Sequence, residues 1–256
     1  MNKIIECKDL NFFVDNKHIL NNINIVVNEG DYVILNGENG SGKSTFLKII
    51  ANDIDPVKYA KYSITGDILD KNNNNILLGQ RKYFNQDLCY IPQQDEFVGK
   101  TILDELMFSL AIVEQKYSYD NLIKLLDALN LKQILQALNN SLSLAQVLKL
   151  NTNRLSGGQQ KIVSIISAII KCRHSTLFLI DEPLNNLDLR FVKNVSNLLT
   201  FLHNELNKTI ILVSHCKIFP CVNRSLFFSD GVVQEQTVEN CYSCFGKPNR
   251  YGYYDI

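Results

Sequence analysis

The sequence predicts an α/β fold built on a parallel sheet, and three observations carry the prediction. Short apolar runs bounded by Asn, Glu, Gly and other polar residues, at 23–27, 32–35, 176–180 and 209–213, read as strands. A glycine-rich loop at 37–44 sits between one of these strands and a helical pattern. A long segment, 101–148, contains neither Gly nor Pro and repeats leucine at 122, 125, 126 and 129, the spacing of an amphipathic helix.

In chain order, 23–27 and 32–35 open the chain as short strands, and a helix is expected from about Lys43. The segment 101–148 is then a helical insertion. Residues 159–171 read as a buried helix, and 176–180 is apolar without interruption, as in a strand covered on both faces. Residues 209–213 repeat that pattern, so the α/β core resumes after the insertion. No internal repeat is visible, and the last twenty residues carry no periodicity.

Composition narrows the function classes. The 256 residues balance 26 Lys+Arg against 26 Asp+Glu, and 46% are hydrophobic, which excludes intrinsic disorder and a collagen-like fibre. Neutral charge argues against a dominant basic surface, so no nucleic-acid partner is expected. No apolar run approaches the roughly 18–20 residues of a membrane span, since the densest, 162–170, is interrupted by Ser164 and Ser167. Residues 1–9 carry a charge every few positions and lack a signal-peptide pattern, so residence in the cytoplasm is expected. Seven scattered cysteines, an odd number, read as reduced thiols.

Residues 37–44, Gly-Glu-Asn-Gly-Ser-Gly-Lys-Ser, fit G-x-x-x-x-G-K-[ST] directly after a predicted strand. Glycines let the backbone wrap phosphate oxygens, and the helix that follows adds its positive dipole end. Lys43 would reach the β- and γ-phosphates of a nucleotide, and Ser44 would hold Mg²⁺. The apolar run 176–180 ends in Asp181 and Glu182, which delivers two acids to the strand's C-terminal tip, where α/β sheets bind ligands. Asp181 is the natural Mg²⁺ partner of Ser44. Glu182 is placed to polarise a water for attack on the γ-phosphate. Leu155-Ser-Gly-Gly-Gln159 opens a long apolar helix and offers a second anion site at a helix N-terminus.

With that pentapeptide the sequence resembles the ATP-binding cassette (ABC) family over about residues 3–235. The resemblance implies a P-loop NTPase (RecA-like) core with an N-terminal antiparallel β subdomain and an inserted α-helical subdomain. It places the core at 1–93 and 158–236, the helical subdomain at 94–157, and a tail at 237–256. Residues 37–44 look like the Walker A loop and 177–182 like the Walker B strand with its catalytic glutamate. Gln93, in Tyr90-Ile-Pro-Gln93, looks like the Q-loop glutamine that contacts Mg²⁺ and water. Asn185-Asn-Leu-Asp188 resembles the D-loop, and His215 the switch histidine that contacts the γ-phosphate. Phe13 stands near the family's adenine-stacking aromatic, with Phe12 as the alternative.

The implied site then assigns catalysis to Glu182, His215, Gln93 and Lys43, and Mg²⁺ to Ser44, Gln93 and Asp181. ATP falls to Phe13, Gly37, Asn39, Gly40, Ser41, Gly42, Lys43, Ser44, Thr45 and Asp188, with Ser156, Gly157, Gly158 and Gln159 closing from the opposite subunit. In the family the signature of one subunit closes on the Walker A nucleotide of another. The resemblance therefore implies pairing with a second ATP-binding domain, docking on an integral membrane permease, and a peripheral place on the cytoplasmic face of the membrane. The alternative is a soluble ABC ATPase of a cytosolic assembly complex, such as the iron–sulfur cluster type. Leu184 and Lys161 depart from the family's commoner residues, and neither is expected to touch the chemistry. Cys216 replaces a common acid after the switch histidine, which bears on how His215 is held. Cys216, Cys221, Cys241 and Cys244 form two close pairs that suit zinc, but Cys216-x₄-Cys221 is looser than a knuckle, and unrelated thiols are the preferred reading.

Overall fold

The computed structural model describes residues 2–54, 61–78, 87–94, 96–185, 187–216, 218–238 and 254. Two sheets organise them. A three-stranded antiparallel sheet has the order β2–β1–β4, from β1 (Lys3–Val14), β2 (Lys17–Asn28) and β4 (Tyr62–Asp70). A six-stranded sheet has the order β5–β6–β7–β3–β8–β9. Its strands are β3 (Tyr32–Gly37), β5 (Leu88–Ile91), β6 (Leu177–Asp181), β7 (Thr209–Val213), β8 (Arg224–Ser229) and β9 (Val232–Gln236). All neighbours in it are parallel except β8 and β9.

The continuous apolar run of β6 is explained by its two faces. Phe178 and Ile180 join a core with the helices, while Leu177 and Leu179 join a second core with β1, β2 and α1 (Lys43–Ala51). Every residue of β6 and of β7 is buried, so neither strand has a polar face to show. Arg224 joins the two sheets: its guanidinium donates to the Val26 carbonyl and to Asp31 Oδ2, each at 2.7 Å, and pairs with Glu235 on β9.

The helical insertion is several short helices, not one long one: α2 (Ile102–Val113), α3 (Tyr119–Ala128), α4 (Leu131–Gln136) and α5 (Leu144–Val147). Thr101 starts α2 with a capping box closed by Asp104, and Ser118 caps α3. Buried Leu106, Leu110, Leu122 and Leu126 pack it onto α6 (Gly157–Lys171), which returns the chain to the core. Glu105 fixes the insertion's first loop: its carboxylate accepts the Val98 and Gly99 N–H groups at 2.9 Å and the Ser167 hydroxyl of α6 at 3.0 Å. The last helix among the described residues, α7 (Leu189–Asn204), leads into β7. Because β3, β5, β6 and β7 are parallel, the segments that follow them emerge at one sheet edge. Those segments are the glycine loop, Pro92–Gln93, Glu182 and Ser214–His215.

Candidate nucleotide site

Gly37 ends β3 at φ 136°, and a Cβ there would lie 2.1 Å from the Phe228 carbonyl oxygen, so only glycine lets the chain leave the strand at this point. Gly42 then caps α1 in the left-handed region, hard against Ile19 and Leu20 of β2. Lys43 is 5% exposed. Its ammonium donates to the carbonyls of Gly37 (2.9 Å) and Glu38 (2.7 Å) and to Ser41 Oγ (3.4 Å). Burial pulls the Lys43 pKa down from its usual value, while the charges of Glu182 and Asp181 push it back up.

Ser44 Oγ donates to Asp181 Oδ1 at 2.9 Å. Asp181 is 2% exposed, and that burial raises its carboxyl pKa; the Ser44 hydrogen bond opposes the rise, the Glu182 charge adds to it, and Lys48 and Lys161 oppose it. Two hard oxygen donors therefore converge where a buried carboxylate lacks sufficient compensating charge, which fits a Mg²⁺ ion. Glu182 follows with φ 46°, in the left-handed region that non-glycine residues avoid, and its N–H donates to the Val213 carbonyl at 3.0 Å. Observed strain of this kind clusters at functional sites.

Glu182 Oε1 lies 3.6 Å from His215 Nε2, and Asn185 Nδ2 donates to its other carboxylate oxygen. The turn that carries His215 is closed by Ser214: its hydroxyl accepts the Cys216 N–H at 3.1 Å and donates to the Cys216 carbonyl at 3.3 Å. Residue 216 thus shapes the turn through its backbone. Gln93, Ser44, Lys48 and Asp181 line one open groove of about 960 Å³, whose other wall is α2 and α6. Gly37, Glu38, Asn39 and His215 line a second opening.

The remaining expected residues fall into four groups. Gly40, Ser41 and Thr45 lie within the loop and the first turn of α1, where Gly40 is exposed and Ser41 buried. Phe12 is fully buried in the second core, whereas Phe13 is half-buried and stacks on His18 with ring centroids 4.1 Å apart. Phe13 is therefore the aromatic with a face to offer. Ser156, Gly157, Gly158 and Gln159 line neither opening. Ser156 caps α6 in a box with Gln159, and Gln159 Nε2 donates to the Leu138 carbonyl at 2.9 Å. Asp188 caps α7 by accepting the Arg190 and Phe191 N–H groups, each at 3.1 Å.

Lys161, buried at 4% exposure, donates to the carbonyls of Pro92 (3.1 Å) and Gln93 (3.0 Å), a contact that its place in the sequence does not announce. The contact of Asn185 with Glu182 was likewise missed by its assignment to the D-loop alone. Cys216 is exposed and Cys221 half-buried, Cys241 and Cys244 lie outside the described residues, and no group of three metal ligands occurs among the described residues.

The family model for ABC transporters matches residues 20–185. The chain is 30% identical over 197 residues to the energy-coupling factor transporter ATP-binding protein EcfA1 of Mesomycoplasma hyopneumoniae, covering 77% of this chain and 65% of the relative. It is 31% identical over 239 residues to the macrolide export ATP-binding/permease protein MacB of Mannheimia succiniciproducens, covering 91% of this chain and 34% of the relative. It thus spans less than two thirds of either relative. A solved dimeric bacterial ABC transporter cassette superposes with a TM-score of 0.73 at 24% identity, covering 93% of this chain and all of that one, which shows the shared fold.

Proposed function

The chain belongs to the ABC transporter family, and on that premise we propose that it is the Mg²⁺-dependent ATP-hydrolysing subunit of a transporter, working as one of a pair of cassettes. One observation carries the reading: a phosphate loop with its lysine meets Asp181, Glu182 and His215 at a single sheet edge. In this reading the loop N–H groups and Lys43 take the phosphates of ATP, with Lys43 exchanging its carbonyl partners for phosphate oxygens. Ser44 and Asp181 would hold Mg²⁺ with Gln93 nearby, and the ion would neutralise charge on the β- and γ-phosphate oxygens. Glu182 orients a water and takes its proton, with Asn185 and His215 fixing its carboxylate. His215 then faces the γ-phosphate, and Phe13 stacks on the base.

Residues 156–159 are absent from the walls of both openings, which supports their action on the nucleotide of a second cassette. Among the described residues no helix is long and apolar enough to cross a membrane. EcfA1 is named as an ATP-binding protein and MacB joins ATP binding and permease in one name. Both support a permease as the partner, met at the groove between the core and the helices of 94–157, on the cytoplasmic face of the membrane. Replacing Glu182 with Gln tests the chemistry: hydrolysis should fall at least about 100-fold, with ATP-bound dimer accumulating in size-exclusion chromatography. Wild-type turnover in that variant would remove Glu182 from its role. Recovery of the chain in a complex with an integral membrane protein tests the partner, and a purely soluble complex would point to the assembly-type ATPase.

A further inference from the structure

We propose that Lys161 is a positioning residue for the nucleotide site, fixing the loop that carries Gln93 to the helix that begins with residues 156–159. The inference rests on the reading of Gln93 as a member of that site. A lysine 4% exposed has to be held by partners, because a desolvated ammonium without them is costly. Among its partners are the Pro92 and Gln93 carbonyls, 69 and 68 residues upstream. Both belong to the exposed segment just beyond the end of β5, where the register with β6 stops at Ile91 and Ile180. Past that point the strand ladder no longer holds this backbone, and the Lys161 ammonium does.

Two charge-assisted donors to consecutive carbonyls fix a peptide's position and its orientation. The Gln93 side chain leaves the same backbone and lines the groove with Ser44 and Asp181. Lys161 also faces this groove electrostatically, since its charge is among those acting on Asp181. Along α6 it lies five residues from Ser156, about 7.5 Å at the helical rise. Any shift at the start of α6 therefore reaches the Gln93 backbone through a rigid helix and one side chain. Methionine would fill much the same space without donating, whereas arginine keeps charge and donors.

The test is steady-state ATP hydrolysis by the full chain as wild type, Q93A, K161M, K161R and K161M/Q93A, with a melting temperature for each. Lys161→Met should lower kcat about tenfold while KM for ATP stays within about twofold, because the loss is one of placement, not of binding. Lys161→Arg should restore kcat to within about threefold of wild type. In the double variant the rate should stay within about twofold of Gln93→Ala alone, since a residue that acts through Gln93 has nothing left to place. Losses that multiply in the double variant, wild-type kinetics in K161M or in Q93A, or a K161M defect not recovered by arginine would each overturn the inference. If K161M fails to fold, K161Q replaces it in the cycle. E182Q separates the two levels of failure. If it hydrolyses normally, the reading of the site falls; if it is inactive while the losses multiply, only the role of Lys161 falls.

Discussion

Gly157 and Gly158 are adjacent in the sequence, yet an added Cβ would meet nothing within 4 Å at Gly157 and the Phe191 ring at 2.5 Å at Gly158. Gly158→Ala is therefore expected to lower stability by about 2 kcal/mol, read from denaturant unfolding, because the Phe191 ring must move. Gly157→Ala should leave stability within about 0.5 kcal/mol, and its effect should appear in ATP-driven pairing. Asp181 makes the opposite kind of statement. Burial raises its carboxyl pKa in the fold, so the ionised form is disfavoured there. That liability is absent below the ordinary carboxylate range and present above the raised folded value. Asp181→Asn should therefore raise the melting temperature of the ligand-free protein at neutral pH, lose the gain on acidification below the usual carboxylate range, and abolish hydrolysis. A melting temperature unchanged or lowered at pH 7 would contradict this. Lys161 shows where residue-level reading stops. Its neighbours in the sequence give no hint of a role, because both of its carbonyl partners come from a different strand's end.

At the scale of elements, burial decides how much a local pattern shows. β3 and β7 cover the apolar runs at 32–35 and 209–213, β6 covers all but the first residue of 176–180, and α6 covers 159–171, because burial leaves an unbroken apolar signature. β2 was visible only in its second half. Its first half carries His18, Asn21 and Asn22 on an exposed stretch, and the strand is held there by pairing with β1 and not by its own pattern. The insertion was legible as helical but not as four helices, since its breaks use no Gly or Pro. Asn130, at φ 52°, separates α3 from α4, and Ser118 and Ser143 start new helices. Phe12 and Phe13 were separated by the strand's alternation, which sends the first inward. The four site segments were recognisable one by one, and only the parallel order β5–β6–β7–β3 brings them to one edge.

For the whole molecule, the sheet is a wall between two cores, and residues distant in the chain close it. Tyr254 is one of these. It is 4% exposed, and its backbone N–H and carbonyl both pair with the Asn197 side chain at 2.7 Å. Its hydroxyl donates to the Ile218 carbonyl at 2.6 Å, three residues past His215. Tyr254→Ala should cost about 3 kcal/mol in chemical denaturation and Tyr254→Phe about 1 kcal/mol. If both variants unfold like wild type, this docking does not hold in solution.

The bonds of Lys43 to its own loop bear on how quickly such a module can work. On the proposed reading, an incoming phosphate would find the lysine already satisfied by three oxygens, so binding would swap one set of partners for another with a modest net gain. The same arrangement works in reverse. When spent nucleotide departs, the ammonium has a resting place a short reach away and is never stranded. A grip that can relax onto itself would ease the release of nucleotide.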